Sequence, residues 1–69
     1  MHISKLKLNV AMANMNLNFT ELSKKSGVSR TTLSYINNGK SCRTYVALKI
    51  VAALGIEFRD LLEDSANGR

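Results

Sequence analysis

Sixty-nine residues, 45% hydrophobic, with no proline and four glycines, make one small domain with enough apolar content to exclude disorder; strand-like alternation is missing, so the composition points to an all-helical fold. The net charge is +5 and uneven: residues 1–56 hold eight Lys/Arg against the single acid Glu21, while residues 57–69 hold two Arg against Glu57, Asp60, Glu63 and Asp64. One cysteine, Cys42, and one histidine, His2, exclude an intrachain disulfide and a zinc site, and no paired acids or nucleophile–base set suggests an enzyme or a cofactor.

Residues 1–3 are expected to be loosely held. Ser4 then caps a helix from Lys5 to Met15, in which Leu8, Ala11, Met12 and Met15 recur at the i, i+3, i+4, i+7 spacing of one buried stripe. Leu6, Val10 and Ala13 add a second apolar strip, which is expected to meet a later helix or, alternatively, a partner chain. Asn16–Leu17–Asn18 forms the first turn, with Leu17 dropping into the core.

The second helix is expected over Phe19–Lys25. Asn18 caps it, and Glu21 at the third helical position reaches back to close a capping box. Gly27 ends it in a left-handed conformation, Val28 plugs the corner and Ser29 caps a third helix over Arg30–Asn37. Leu33 and Ile36 mark the buried side of that helix; Arg30, Thr31, Ser34 and Tyr35 point away from it. Asn38–Gly39 stops it, and a polar, basic loop follows over residues 38–43. A fourth helix is expected over Thr44–Leu54, with Ala47, Ile50, Val51 and Leu54 inward and Gly55 as its stop. A fifth short helix, Phe58–Glu63, is expected to be capped by Glu57 and to present Phe58, Leu61 and Leu62. Residues 64–69 read as a flexible tail, so the domain core is 5–63 within a single domain of 1–69.

No secretory signal is evident, because Lys5 and Lys7 interrupt the amino terminus. The longest apolar segment, Val46–Ile56, contains Lys49 and is too short to span a bilayer, so the expectation is a cytoplasmic chain without a membrane partner.

Two helices joined by a glycine turn, the second with a polar outer face, form the helix-turn-helix pattern. A helix fits the DNA major groove, where each base pair displays a distinct set of donors and acceptors. Arg30 suits a two-pronged bond to guanine, Thr31 and Ser34 suit base edges, and Tyr35 suits either bases or backbone, with packing against the second helix as its alternative. Phosphate contacts are expected from Asn18 and the amino-terminal amides of the second helix, and from Asn38, Lys40, Ser41 and Arg43 in the following loop. Lys24 and Lys25, at the far end of the second helix, read as solubilising charges.

These residues resemble the lambda-repressor-like (Cro/C1-type, XRE) helix-turn-helix family of phage and mobile-element regulators. The resemblance is carried by Leu17–Leu22, Ser26–Ile36, Asn38–Lys40 and Leu48–Ile56, and covers about residues 5–63. It implies a compact five-helix bundle that binds double-stranded operator DNA, usually as a weak two-fold homodimer, with no small-molecule ligand. The family's base-reading positions fall on Arg30, Thr31, Ser34 and Tyr35, with Ser29 and Thr32 in support. Its backbone-contacting positions fall on Asn18, Asn38, Lys40 and Arg43. Four departures stand out. Phe19 replaces a glutamine that often touches both DNA and the recognition helix. Met12 and Asn37 replace the two partners of an ion pair between the first and third helices. Ser23 replaces a small alanine, and the fourth helix begins at Arg43–Thr44 without the usual proline.

The functional expectation is a small Cro/C1-type repressor that binds a palindromic operator. The alternative is a protein-interaction module on the same fold, such as an antitoxin or antirepressor, using Leu6/Val10 or the acidic fifth helix.

Overall fold

A computed structural model describes residues 1–62 of the chain. Glu63 and the expected tail, 64–69, lie outside the described residues. Four α-helices are present: α1 (Lys5–Asn14), α2 (Phe19–Ser26), α3 (Arg30–Asn37) and α4 (Thr44–Leu54), followed by a single 3-10 turn, Phe58–Asp60. Among the described residues, the segment expected as the start of a fifth helix forms this single turn, so four helices and a turn are seen there. After the left-handed Gly55, the chain makes the turn bonds Asp60 N–H to Glu57 O (3.0 Å), Leu61 N–H to Phe58 O (2.9 Å) and Leu62 N–H to Phe58 O (2.9 Å). Leu62 then pairs with Ile3 in an isolated antiparallel bridge, and this backbone pairing replaces a further helical turn.

The same bridge overturns the expectation of a loose amino terminus. Ile3 is a core residue, and Ser4 N–H donates to Leu61 O at 2.8 Å. Ser4 also caps α1, its hydroxyl accepting from Lys7 N–H at 3.2 Å.

α1 ends one residue earlier than expected, because Asn16 takes the left-handed conformation (φ 56°) that asparagine tolerates better than most residues. Asn16 N–H donates to Ala13 O at 3.1 Å and Leu17 N–H to Met12 O at 2.9 Å, a doubly bonded stop that aims Leu17 at the core. Met15 therefore sits past the helix and is exposed rather than buried. Ala13 is exposed as well. The strip expected to meet a later helix does so only at its edge. Leu6 and Val10 border a shallow groove with Leu54 and Ile56 but stay 73% and 50% exposed.

The core is built from Leu8, Ala11 and Met12 of α1, Leu22 of α2, Val28 in the corner, Leu33 and Ile36 of α3, and Ala47, Ile50, Val51, Ala53 and Leu54 of α4, closed by Ile3 and Leu61. α2 packs against both α3 and α4, and α1 packs against α3. Helices of eight residues are too short to persist alone, so α2 and α3 owe their existence to this packing. Leu22 and Leu33 are fully buried, each contributing about 1.5–3 kcal/mol of transfer free energy.

α1 and α3 are also joined at the surface. Asn9 Nδ2 donates to Asn37 Oδ1 at 3.1 Å and to Lys5 O at 2.7 Å. Met12, at the position of the absent arginine, is buried instead. A neutral amide pair thus ties the end of α3 to α1.

Candidate nucleic-acid interface

The corner Gly27–Val28–Ser29 sets the direction of α3. Gly27 adopts φ +79°, and its N–H donates to Ser23 O at 2.8 Å, which ends α2 cleanly. Ser29 caps α3 twice over, accepting from Thr32 N–H at 3.2 Å and donating to Thr32 Oγ1 at 2.9 Å. Ser29 and Thr32 are therefore occupied in holding the amino-terminal end of α3. With Leu33 and Ile36 turned into the core, helical geometry puts Arg30, Thr31, Ser34 and Tyr35 outside, and all four are exposed.

These four residues and Phe19 line one concavity of about 430 Å³. Phe19 is half-buried and packs against the core edge, so its ring forms a wall of this hollow rather than a free side chain. Tyr35 stands 58% exposed between this concavity and a larger groove of about 680 Å³, whose other walls include Thr32, Lys40, Ser41, Arg43 and Tyr45. Tyr35 is thus an exposed ring shared by two adjoining hollows, one of which it lines together with Phe19 of α2. Tyr45 was not singled out by the sequence reading. It lies at the start of α4, is 58% exposed, and has Lys49 Nζ 5.7 Å from its ring centroid. An aromatic residue on the polar side of a helix, two positions after Arg43, is the signal that could have found it.

At the other flank the capping box is complete. Glu21 N–H donates to Asn18 Oδ1 at 2.8 Å, and Asn18 N–H donates to Glu21 Oε1 at 3.1 Å. Two amides of this helix end are therefore used internally, leaving those of Phe19 and Thr20 as the outward donors. Asparagine suits the position chemically: its carbonyl oxygen caps the helix while its NH₂ group keeps donors for an outside acceptor. The loop after α3 differs from expectation in one respect. The amides near Asn38 donate within the fold: Asn38 N–H to Ser34 O and Tyr35 O, Gly39 N–H to Ile36 O, and Lys40 N–H to Tyr35 O, each at 3.1 Å. What the loop offers outward is side chains. Asn38, Lys40, Ser41 and Arg43 are all exposed.

The basic residues divide by place. Arg30, Lys40 and Arg43 border the two hollows. Lys24 and Lys25 lie in the last turn of α2, about 10 Å along the helix from Asn18. Lys7 is turned to the opposite end, where its Nζ donates to Arg59 O at 3.0 Å and Leu62 O at 3.1 Å. Burial pushes the Cys42 thiol above its ordinary value, and the nearby amino-terminal ammonium partly opposes this. Among the described residues, no helix is long and apolar enough to cross a membrane.

Comparison with curated proteins and with solved structures finds no match. The Cro/C1-type HTH DNA-binding domain family matches residues 7–67, from the start of α1 through the helix-turn-helix and beyond the last turn, and the chain belongs to that family.

Proposed function

We propose that the chain is a sequence-specific transcriptional regulator, a small Cro/C1-type repressor that lays α3 in the major groove of a palindromic operator. One observation carries this reading: Arg30, Thr31, Ser34 and Tyr35 are all exposed and line one hollow, with Lys40, Ser41 and Arg43 around the adjoining groove. In this arrangement Arg30 and its neighbours meet base edges. Asn18 on one side and the loop side chains on the other hold the phosphates that fix the register. Asn38, at the end of α3, stands within the second flank.

Selection of bound duplexes from a random pool tests specificity and half-site spacing together. Arg30→Ala, compared with the parent at two salt concentrations, tests the base-reading role. The expected loss is about 1–3 kcal/mol with relaxed preference at one base pair. Parental affinity and preference in Arg30→Ala would refute that assignment, and a parent chain that binds no duplex at low salt would refute DNA binding itself.

A second copy of the chain is the partner we propose for a weak homodimer. Leu61 is buried in the core, Phe58 and Leu62 pack against it and Leu62 is bridged to Ile3, whereas Leu6 and Val10 remain open. The same open strip supports the interaction-module reading. Sedimentation with and without a palindromic duplex separates the two, since a dimer forming only on DNA belongs to the regulator.

A further inference from the structure

We propose that the amino-terminal strap, Met1–Ser4, is a positioning element for the loop 38–43, holding Lys40, Ser41 and Arg43 where they meet a DNA backbone. The proposal rests on the DNA-binding reading above. The strap joins two distant parts of the chain. At one end Met1 and Cys42 exchange a pair of backbone bonds: Met1 N donates to Cys42 O at 3.1 Å, and Cys42 N–H donates to Met1 O at 2.8 Å. At the other end Ile3 is 3% exposed and bridged to Leu62, and Ser4 N–H donates to Leu61 O at 2.8 Å. The buried Ile3 is thus an anchor, and Met1 is the hand that holds the loop.

The loop has reason to be held. Its start is fixed by the end of α3, through Gly39 and Lys40 N–H, and its finish by Arg43, whose carbonyl accepts from Val46 and Ala47 at 3.1 and 3.2 Å. Between these points Gly39 has φ +91° and no proline stiffens the chain. Here the loop is tied to the rest of the fold at Cys42, through its backbone bonds to Met1 and its half-buried side chain against the core. Lys40, Ser41 and Arg43 are exposed to either side of it. A loop already ordered binds without the entropy cost of being ordered by its ligand. Losing the strap should therefore weaken phosphate contacts without altering what Arg30, Thr31 and Ser34 read.

The test uses the full chain with two glycines inserted between His2 and Ile3, which leaves the Ile3 anchor and the Ser4 cap in place. Ile3→Ala is the harsher companion, and Val51→Ala is a destabilised control remote from the loop. A random-sequence duplex and the duplex recovered by selection are the probes. The insertion should lower affinity for both by about tenfold while keeping the ratio between them. It should have no further effect in a chain already carrying Lys40→Ala and Arg43→Ala, because the strap acts through those side chains. The native Cys42 thiol gives a readout without DNA: alkylation by iodoacetamide should speed up in the insertion variant and stay at the parental rate in folded Val51→Ala. Parental affinity in the insertion variant overturns the proposal, as does an equal loss in the doubly substituted chain or an unchanged alkylation rate. A parent that binds neither duplex at low salt overturns instead the reading on which the strap's role depends.

Discussion

In the proposed interface Asn18 serves both stability and DNA binding, and two substitutions separate the two roles. Its Oδ1 accepts from Glu21 N–H at 2.8 Å and ends the exposed amino terminus of α2. Asn18→Ala removes that bond and should cost about 1 kcal/mol. In a domain this small, that corresponds to a fall in Tm of about 4–8 °C. Asn18→Asp keeps an equally good capping oxygen and places its charge at the favourable end of the helix dipole, so the melting temperature should hold or rise slightly. The NH₂ donors, however, are replaced by a carboxylate facing the phosphate. A lost hydrogen bond of about 1 kcal/mol and a repulsion of about 1 kcal/mol at roughly 5 Å in water together predict a loss of about 30-fold in affinity. Calorimetry and fluorescence anisotropy with a labelled duplex give the two numbers on the same samples. The variant that melts like the parent should be the weaker DNA binder. An Asn18→Asp chain that binds DNA as the parent does would refute the phosphate role. One that melts like Asn18→Ala would refute the cap.

Gly27→Ala should lower stability by about 1–2 kcal/mol through backbone strain alone, since an added Cβ at φ +79° has no atom within 4 Å to strike; Gly27→Asn should recover part of the loss in the same thermal scans. Lys7→Met should destabilise by about 1–2 kcal/mol, by releasing the carbonyls of Arg59 and Leu62, yet leave the salt dependence of DNA binding unchanged; a shallower slope would place Lys7 on the DNA side after all. The raised Cys42 thiol predicts a specific pH effect. The unfolded thiol ionises near about 8.5 while the folded one keeps its proton, so stability falls as pH rises above that value and levels off once the folded thiol ionises too. Urea titrations from neutral to alkaline pH should show this fall in the parent and a smaller one in Cys42→Ser; identical curves would refute it.

Helices α2, α3 and α4 were legible to within a residue because their ends carry punctuation: the side-chain caps Asn18 and Ser29 before α2 and α3, and Gly27, Asn38 and Gly55 after the three, while α4 starts at Arg43 without a side-chain cap. The outward face of α3 followed from the spacing of Leu33 and Ile36 alone. What the sequence concealed was bonding that runs through the backbone. The Met1–Cys42 and Ile3–Leu62 pairings involve no side-chain chemistry that a pattern can display, so the amino terminus read as loose. The last segment failed for the same reason, since Phe58–Leu62 has helix-forming character that its pairing with Ile3 overrides. Tyr45 lies off the apolar face of α4 set by Ala47, Ile50, Val51 and Leu54, on a side that patterning alone assigns to solvent.

The missing ion pair between α1 and the end of α3 has a consequence for how DNA binding should respond to salt. In its place Asn37 accepts from Asn9 at 3.1 Å, and neither amide carries charge. An exposed ion pair weakens as salt rises, so a recognition helix anchored by one would loosen under the same conditions that screen the phosphates. A neutral hydrogen bond is insensitive to ionic strength, and the remaining ties of α3 are Leu33, Ile36 and the Ser29 cap, also uncharged. The one ion pair between described residues, Arg59–Glu57 at 3.5 Å, lies on the carboxy-terminal turn, away from α3. The position of α3 should therefore not shift with salt, and the slope of affinity against salt should count the proposed phosphate contacts of charged side chains such as Lys40 and Arg43 with little contribution from the fold. Asn37→Ala probes this directly: it should weaken binding by a similar factor at every salt concentration and leave the slope unchanged. A slope that changes would refute this account of a salt-insensitive α3.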